Sequence, residues 1–126
     1  MEPLSVEARR ILDDYQAGTL SLIAPDLINA ELGNIVWNKQ TFQGLGAEDA
    51  KAIIDGFPKL EIAFTPTTEL LGDAYNLAIT HRRTVYDSLY LALSIRKKCQ
   101  LVTADERLVN AVSTAHPAVV WLANWP

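Results

Sequence analysis

Apolar residues recur along this chain with two alternating spacings, and the alternation predicts a succession of helices and short strands. Residues 4–17 read as a helix, with Val6, Ile11, Leu12 and Tyr15 on one face, Ser5 as its cap and Gly18 as its stop. LSLIAP at 20–25 is short, apolar and ended by proline, the pattern of a buried strand. A helix over about 26–41 follows, in which Leu27, Ile28, Leu32, Ile35 and Val36 recur at helical spacing. After Gly44 and Gly46, AEDAKAIIDGF predicts another helix, stopped at Gly56 and Pro58. LEIAFTP at 60–66 reads as the second strand. Thr67 or Thr68 then caps a helix running to about His81, with Leu70, Leu71, Ala74, Leu77 and Ala78 inward. A helix at 84–98, a strand at 100–104, a helix at 106–115 and a last strand at 118–123 complete the chain. Strands that alternate with helices imply parallel crossovers, hence a three-layer α/β/α sandwich around a mainly parallel sheet.

Composition narrows the class. With 126 residues, 49% hydrophobic and 21% charged, the chain suits one domain spanning 1–126 with a sizeable core. Its net charge of −4 argues against nucleic-acid binding by bulk charge alone, although a metal ion can reverse the sign of an acidic pocket. Cys99 is the one cysteine, which excludes an intrachain disulfide and a thiolate zinc cluster. His81 and His116 are the two histidines, too few for a His-rich centre. No apolar run reaches membrane-spanning length and MEPLSVEARR lacks a signal-peptide core, so a cytoplasmic protein is expected. P-loop, Rossmann and nucleophile-elbow signatures are absent from the sequence.

Three acids stand out. Glu31 interrupts the apolar stripe of PDLINAELGNIVW, where a lone carboxylate is costly unless it is paired or coordinated; a rim position or an ion pair is the plainer account. Asp87 lies in the first turn of the helix in TVYDSLYLALSI, where Thr84-x-x-Asp87 resembles a capping box and the helix dipole favours an acid. Asp105 follows the strand in QLVTADERL and suits a plain N-cap. As a set they change meaning. All three fall near the C-terminal ends of strands, the edge of a parallel sheet where ligands bind. Carboxylates gathered there repel one another without a cation, and hard oxygen donors suit Mg2+ or Mn2+. Thr103 and Asn34 are candidate supporting residues, Thr103 for Asp105 or a bound water and Asn34 for Glu31, one turn away. Asp26 reads as a helix N-cap. Arg82-Arg83 and Arg96-Lys97-Lys98 read as solvated surface near helix ends, or as contacts for RNA phosphates.

APDLINAELGNIVW, TVYDSLYLALSIRKKCQLVTADERL and the closing AVVWL together resemble a PIN domain of the VapC toxin type, over nearly the whole chain. The resemblance implies a Mg2+- or Mn2+-dependent endoribonuclease, with Glu31, Asp87 and Asp105 at the family's second, third and fourth acidic positions and Thr103 in its TAD element. It also implies a VapB-like antitoxin, whose tail fills the acidic groove, commonly with an arginine, and a homodimer. One departure is plain. Family members open with a central strand ending in Asp, whereas EPLSVEARRILDDY corresponds to the helix after it. The expectation is a domain N-terminally truncated relative to the family and a weakened nuclease with three acids of four, or an inactive module binding antitoxin or RNA. The unfilled place between the strands at 20–24 and 100–104 would reflect a misplaced start, close by direct pairing, or take a strand from a partner chain.

Overall fold

A computed structural model of the chain describes residues 5–126, the side chain of Ser5 excepted, so the expected Ser5 cap lies outside the described residues. The described chain is α/β: mostly helical, with four short strands in two parallel pairs. It divides into two compact units.

The unit spanning Ile23–Thr67 contains β1 (Ile23–Pro25), α2 (Leu27–Phe42), α3 (Ala47–Gly56), a 3-10 turn (Phe57–Leu60) and β2 (Ala63–Thr65); α1 precedes it as Ser5–Gln16. β1 and β2 run parallel in the register Ile23↔Ala63, Ala24↔Phe64, Pro25↔Thr65. The link between α2 and α3 folds back on Lys39, whose carbonyl accepts from the N–H groups of Gln43 and Leu45. Gly44 takes φ +77° in this turn, a conformation that glycine adopts without steric cost. Ala24, Pro25, Val36 and Ala50 are buried. Ile35, expected inward, is 51% exposed, and Trp37 lies edge-on to Phe42 at 5.7 Å with both rings largely exposed.

The other unit runs up to Leu22 and resumes over Thr68–Pro126. It carries α4 (Thr67–His81, from its second residue), α5 (Val85–Lys97), β3 (Leu101–Thr103), α6 (Glu106–Val112), β4 (Val119–Trp121) and a 3-10 turn at Leu122–Asn124. β3 and β4 are parallel, pairing Leu101↔Val119, Val102↔Val120 and Thr103↔Trp121. Leu91, Leu108, Val112 and Val119 form the core, with Leu77, Leu101 and Val109 packed against them. On α4, Leu70, Ala74 and Ala78 are buried at i, i+4 and i+8, as the periodicity predicts. Leu71 departs from it and is 55% exposed, since it stands 100° round the helix from Leu70 and beyond the narrow face that packs. α5 is buried at every position from Ser88 to Leu89 and from Leu91 to Ser94, and its polar Ser94 donates to the Cys99 carbonyl at 2.6 Å. The strands are shorter than the apolar runs that announce them, because only three residues of each run pair.

A candidate acidic site between two helix ends

The most organised polar cluster of the larger unit begins at a helix terminus. α4 ends at His81, Arg82 takes the left-handed conformation (φ +54°), and the Arg83 N–H donates to the Ala78 carbonyl at 3.2 Å. This is the bond that closes a Schellman end. One residue later Thr84 caps α5, its hydroxyl accepting from the Asp87 N–H at 3.1 Å. Arg83 is thereby held at its backbone between the stop of one helix and the start of the next.

Its guanidinium meets both candidate acids of this unit. Arg83 Nη2 donates to Asp87 Oδ2 at 3.1 Å and to Asp105 Oδ2 at 3.2 Å. The three side chains are 23%, 32% and 44% exposed, so these ion pairs are partly screened and worth no more than about 1 kcal/mol each. Arg83 Nε is buried with no hydrogen-bond partner among the described residues. Asp105 does two jobs. Its Oδ1 accepts from the N–H groups of Arg107 (2.9 Å) and Leu108 (3.3 Å), capping α6, which leaves Oδ2 for the cation. Thr103 supports it from behind, its hydroxyl accepting from the Asp105 N–H at 3.1 Å.

The sequence predicts a cap at Asp105 and a Thr84–Asp87 turn, and both are present. Arg83 corrects the reading of Arg82-Arg83 as a solvated basic patch, since it is turned onto the acids. Its i,i+4 spacing to Asp87 was a signal that could have found half of this cluster; the link to Asp105, 22 residues on, leaves no local trace. Arg96 is engaged as well, donating to the Glu69 carbonyl at 3.0 Å and facing its carboxylate at 3.7 Å.

Glu31 and Asn34 belong to the other unit, on α2. Glu31 is half-buried, in keeping with its place beside the apolar stripe, and Asn34 is exposed. Asp26 is a correction of a different kind. It stands at the N-cap position of α2, but its side chain makes no cap there. Instead Asp26 Oδ1 accepts from the Thr67 N–H at 3.0 Å, at the first residue of α4, while the Asp26 N–H donates to the Thr65 carbonyl at 2.9 Å. Elsewhere in the larger unit His81 and His116 pack edge to face at 5.2 Å, and burial, with the His81 charge second, pushes the His116 imidazole below its ordinary range.

Two hard carboxylate oxygens converging on one cationic nitrogen are the donor set that Mg2+ or Mn2+ takes, usually with waters completing the shell. The donor chemistry of Asp87 and Asp105 therefore fits the divalent ion that the family resemblance implies. Among the described residues no group of three His, Cys, Asp or Glu side chains is drawn together to a metal-binding distance. None of the described helices is long and apolar enough to cross a membrane.

Comparison with known sequences reaches the same region. Residues 1–112 match the profile of the PIN domain, a span that contains Glu31, Asp87, Thr103 and Asp105. The chain is 33% identical over 88 residues to ribonuclease VapC1 of Mycobacterium tuberculosis, covering 70% of this chain and 65% of that relative. It is 32% identical over 114 residues to ribonuclease VapC3 of Pyrobaculum aerophilum, covering 86% and 82%. A VapC ribonuclease of Mycobacterium bovis, Mb0985, is 28% identical over 114 residues, covering 87% and 88%. The chain thus spans slightly less than two thirds of the length of the first of these relatives and more of the other two.

Proposed function

Since the chain belongs to the PIN-domain family, we propose that it is a divalent-metal-dependent endoribonuclease of the VapC type, the toxin of a toxin–antitoxin pair. The observation that carries this reading is the convergence of Asp87 and Asp105 on one cationic point, within the span that matches the family. Asp87 and Asp105 would hold Mg2+ or Mn2+, with Glu31 as a third carboxylate; the support for Glu31 is its place in the order of motifs. When bound, the ion supplies Lewis-acid polarisation of a phosphodiester and a more acidic water. The protein's own part is to fix the donors. Thr84 and the α5 turn set Asp87, while Thr103 and the α6 cap leave one oxygen of Asp105 available. Asn34, one turn from Glu31, would orient it. The substrate is RNA, the partner a VapB-like antitoxin and the assembly a homodimer in the cytoplasm.

Asp87→Asn tests the core of this reading. RNA cleavage in Mn2+ should fall roughly a hundredfold or more, because the variant keeps the turn and loses the anionic donor. Undiminished cleavage by a folded Asp87→Asn protein would remove Asp87 from the site.

A second reading, a module that binds antitoxin or RNA without cutting, draws support from Arg83, whose guanidinium already pairs with both acids and offsets one of their two charges. Cleavage of RNA by purified protein with Mn2+, lost on chelation, separates the two.

A further inference from the structure

We infer that Arg83 is a built-in counter-cation: it holds Asp87 and Asp105 together in the absence of a divalent ion and must leave their oxygens when that ion binds. The inference rests on the metal-site reading above and goes beyond it by giving the site a competitor from its own chain. Arg83 Nη2 lies 3.1 Å from Asp87 Oδ2 and 3.2 Å from Asp105 Oδ2. A Mg2+ ion takes its oxygens at about 2.0–2.1 Å, so an ion bound by these same two atoms would occupy the ground on which Nη2 now stands. Both cannot be there.

The chain prepares this arrangement at the backbone. The Schellman end of α4 fixes the Arg83 N–H, and Thr84 begins α5 immediately afterwards, so Arg83 and Asp87 are neighbours by construction. Asp105 comes from another helix start 22 residues on and keeps Oδ1 for its own cap. The guanidinium is what joins two carboxylates that would otherwise repel across the gap. Without metal it holds the donors together; with metal its charge opposes the ion. Arg83 is accordingly a positioning residue that sets how much divalent ion the site needs. A lysine there would offer a point charge in place of the planar fork and could not serve two carboxylates with the same geometry.

Mn2+ titration by calorimetry of the full chain, beside Arg83→Gln, Arg83→Lys and Asp105→Asn, is the test. Arg83→Gln should bind Mn2+ about tenfold tighter, the size of two partly screened ion pairs lost, with Arg83→Lys between it and the native chain. Asp105→Asn should bind poorly. In the native protein, Mg2+ should also shift the guanidinium nitrogen resonances of Arg83, a readout that needs no variant. Equal or weaker Mn2+ affinity in Arg83→Gln, or Arg83 resonances that ignore saturating Mg2+, would overturn the counter-cation while leaving the metal site in place. Failure of the native chain and Arg83→Gln alike to bind Mn2+ would overturn the metal reading itself, and competition with it. Should Arg83→Gln fail to fold, Arg83→Lys and the native resonances still decide.

Discussion

Asp105 shows how one side chain serves local structure and chemistry together, with Oδ1 on two backbone N–H groups and Oδ2 on Arg83. An acid that caps a helix is thus not disqualified as a ligand, since a carboxylate has acceptor capacity for both. The sequence alone makes the cap legible, because Asp after a strand and before ERL is a local pattern. It cannot show the Arg83 link or the bond from Thr67 to Asp26, whose partners are 22 and 41 residues apart. His116 yields a prediction at this scale. Burial holds its imidazole below the ordinary value near 6.5 in the folded chain. The unfolded chain therefore takes up the proton first as pH falls, and the unfolded state gains. Stability attributable to His116 should be intact above about pH 6.5 and decline as pH drops through that value towards the lowered folded one. Thermal melts of His116→Gln should lose less between pH 7.5 and 5.5 than native melts do. Parallel curves would assign the pH response elsewhere.

At the scale of elements, helical periodicity finds the stripe that packs but not its width. Leu70, Ala74 and Ala78 are buried as expected, whereas Leu71 on α4 and Ile35 on α2 are half-exposed or more, although each sits beside a buried residue in the sequence. Apolar character says that a residue tolerates burial; the neighbouring elements decide whether it receives any. The contrast is measurable. Leu70→Ala, at a fully buried position, should cost about 2–5 kcal/mol in urea denaturation. Leu71→Lys, one position on, should change stability by less than about 0.5 kcal/mol in the isolated chain. A large loss at Leu71 would mean that this face is covered in solution. The strands are shorter than their apolar runs for a related reason, because an apolar run continues past the residues that find a hydrogen-bonding partner.

For the whole molecule, net charge bears on the proposed activity. A chain of charge −4 has no bulk attraction for a polyanion, so under that proposal affinity for RNA would come from the acidic site once a cation reverses its sign. In chelator at moderate salt, fluorescence anisotropy should detect no RNA binding, and Mn2+ should restore it; metal-independent binding would locate the contact on a basic surface instead. Alternation of helices and strands made the parallel pairing legible, and the motif order made the PIN family legible. The division into two units was not, since it follows from how contacts distribute after folding. One bond within the smaller unit bears on how that division arises. Asp26 meets Thr67 just beyond the paired strands β1 and β2, so the two ends of this 41-residue separation are fastened to each other. Loop-closure entropy is thus met inside the segment itself, and because that entropy grows only slowly with length, the link at 43–46 is where residues are gained or lost at small cost. To the rest of the polypeptide the segment behaves as a closed excursion, able to vary in length while its two ends stay where they are.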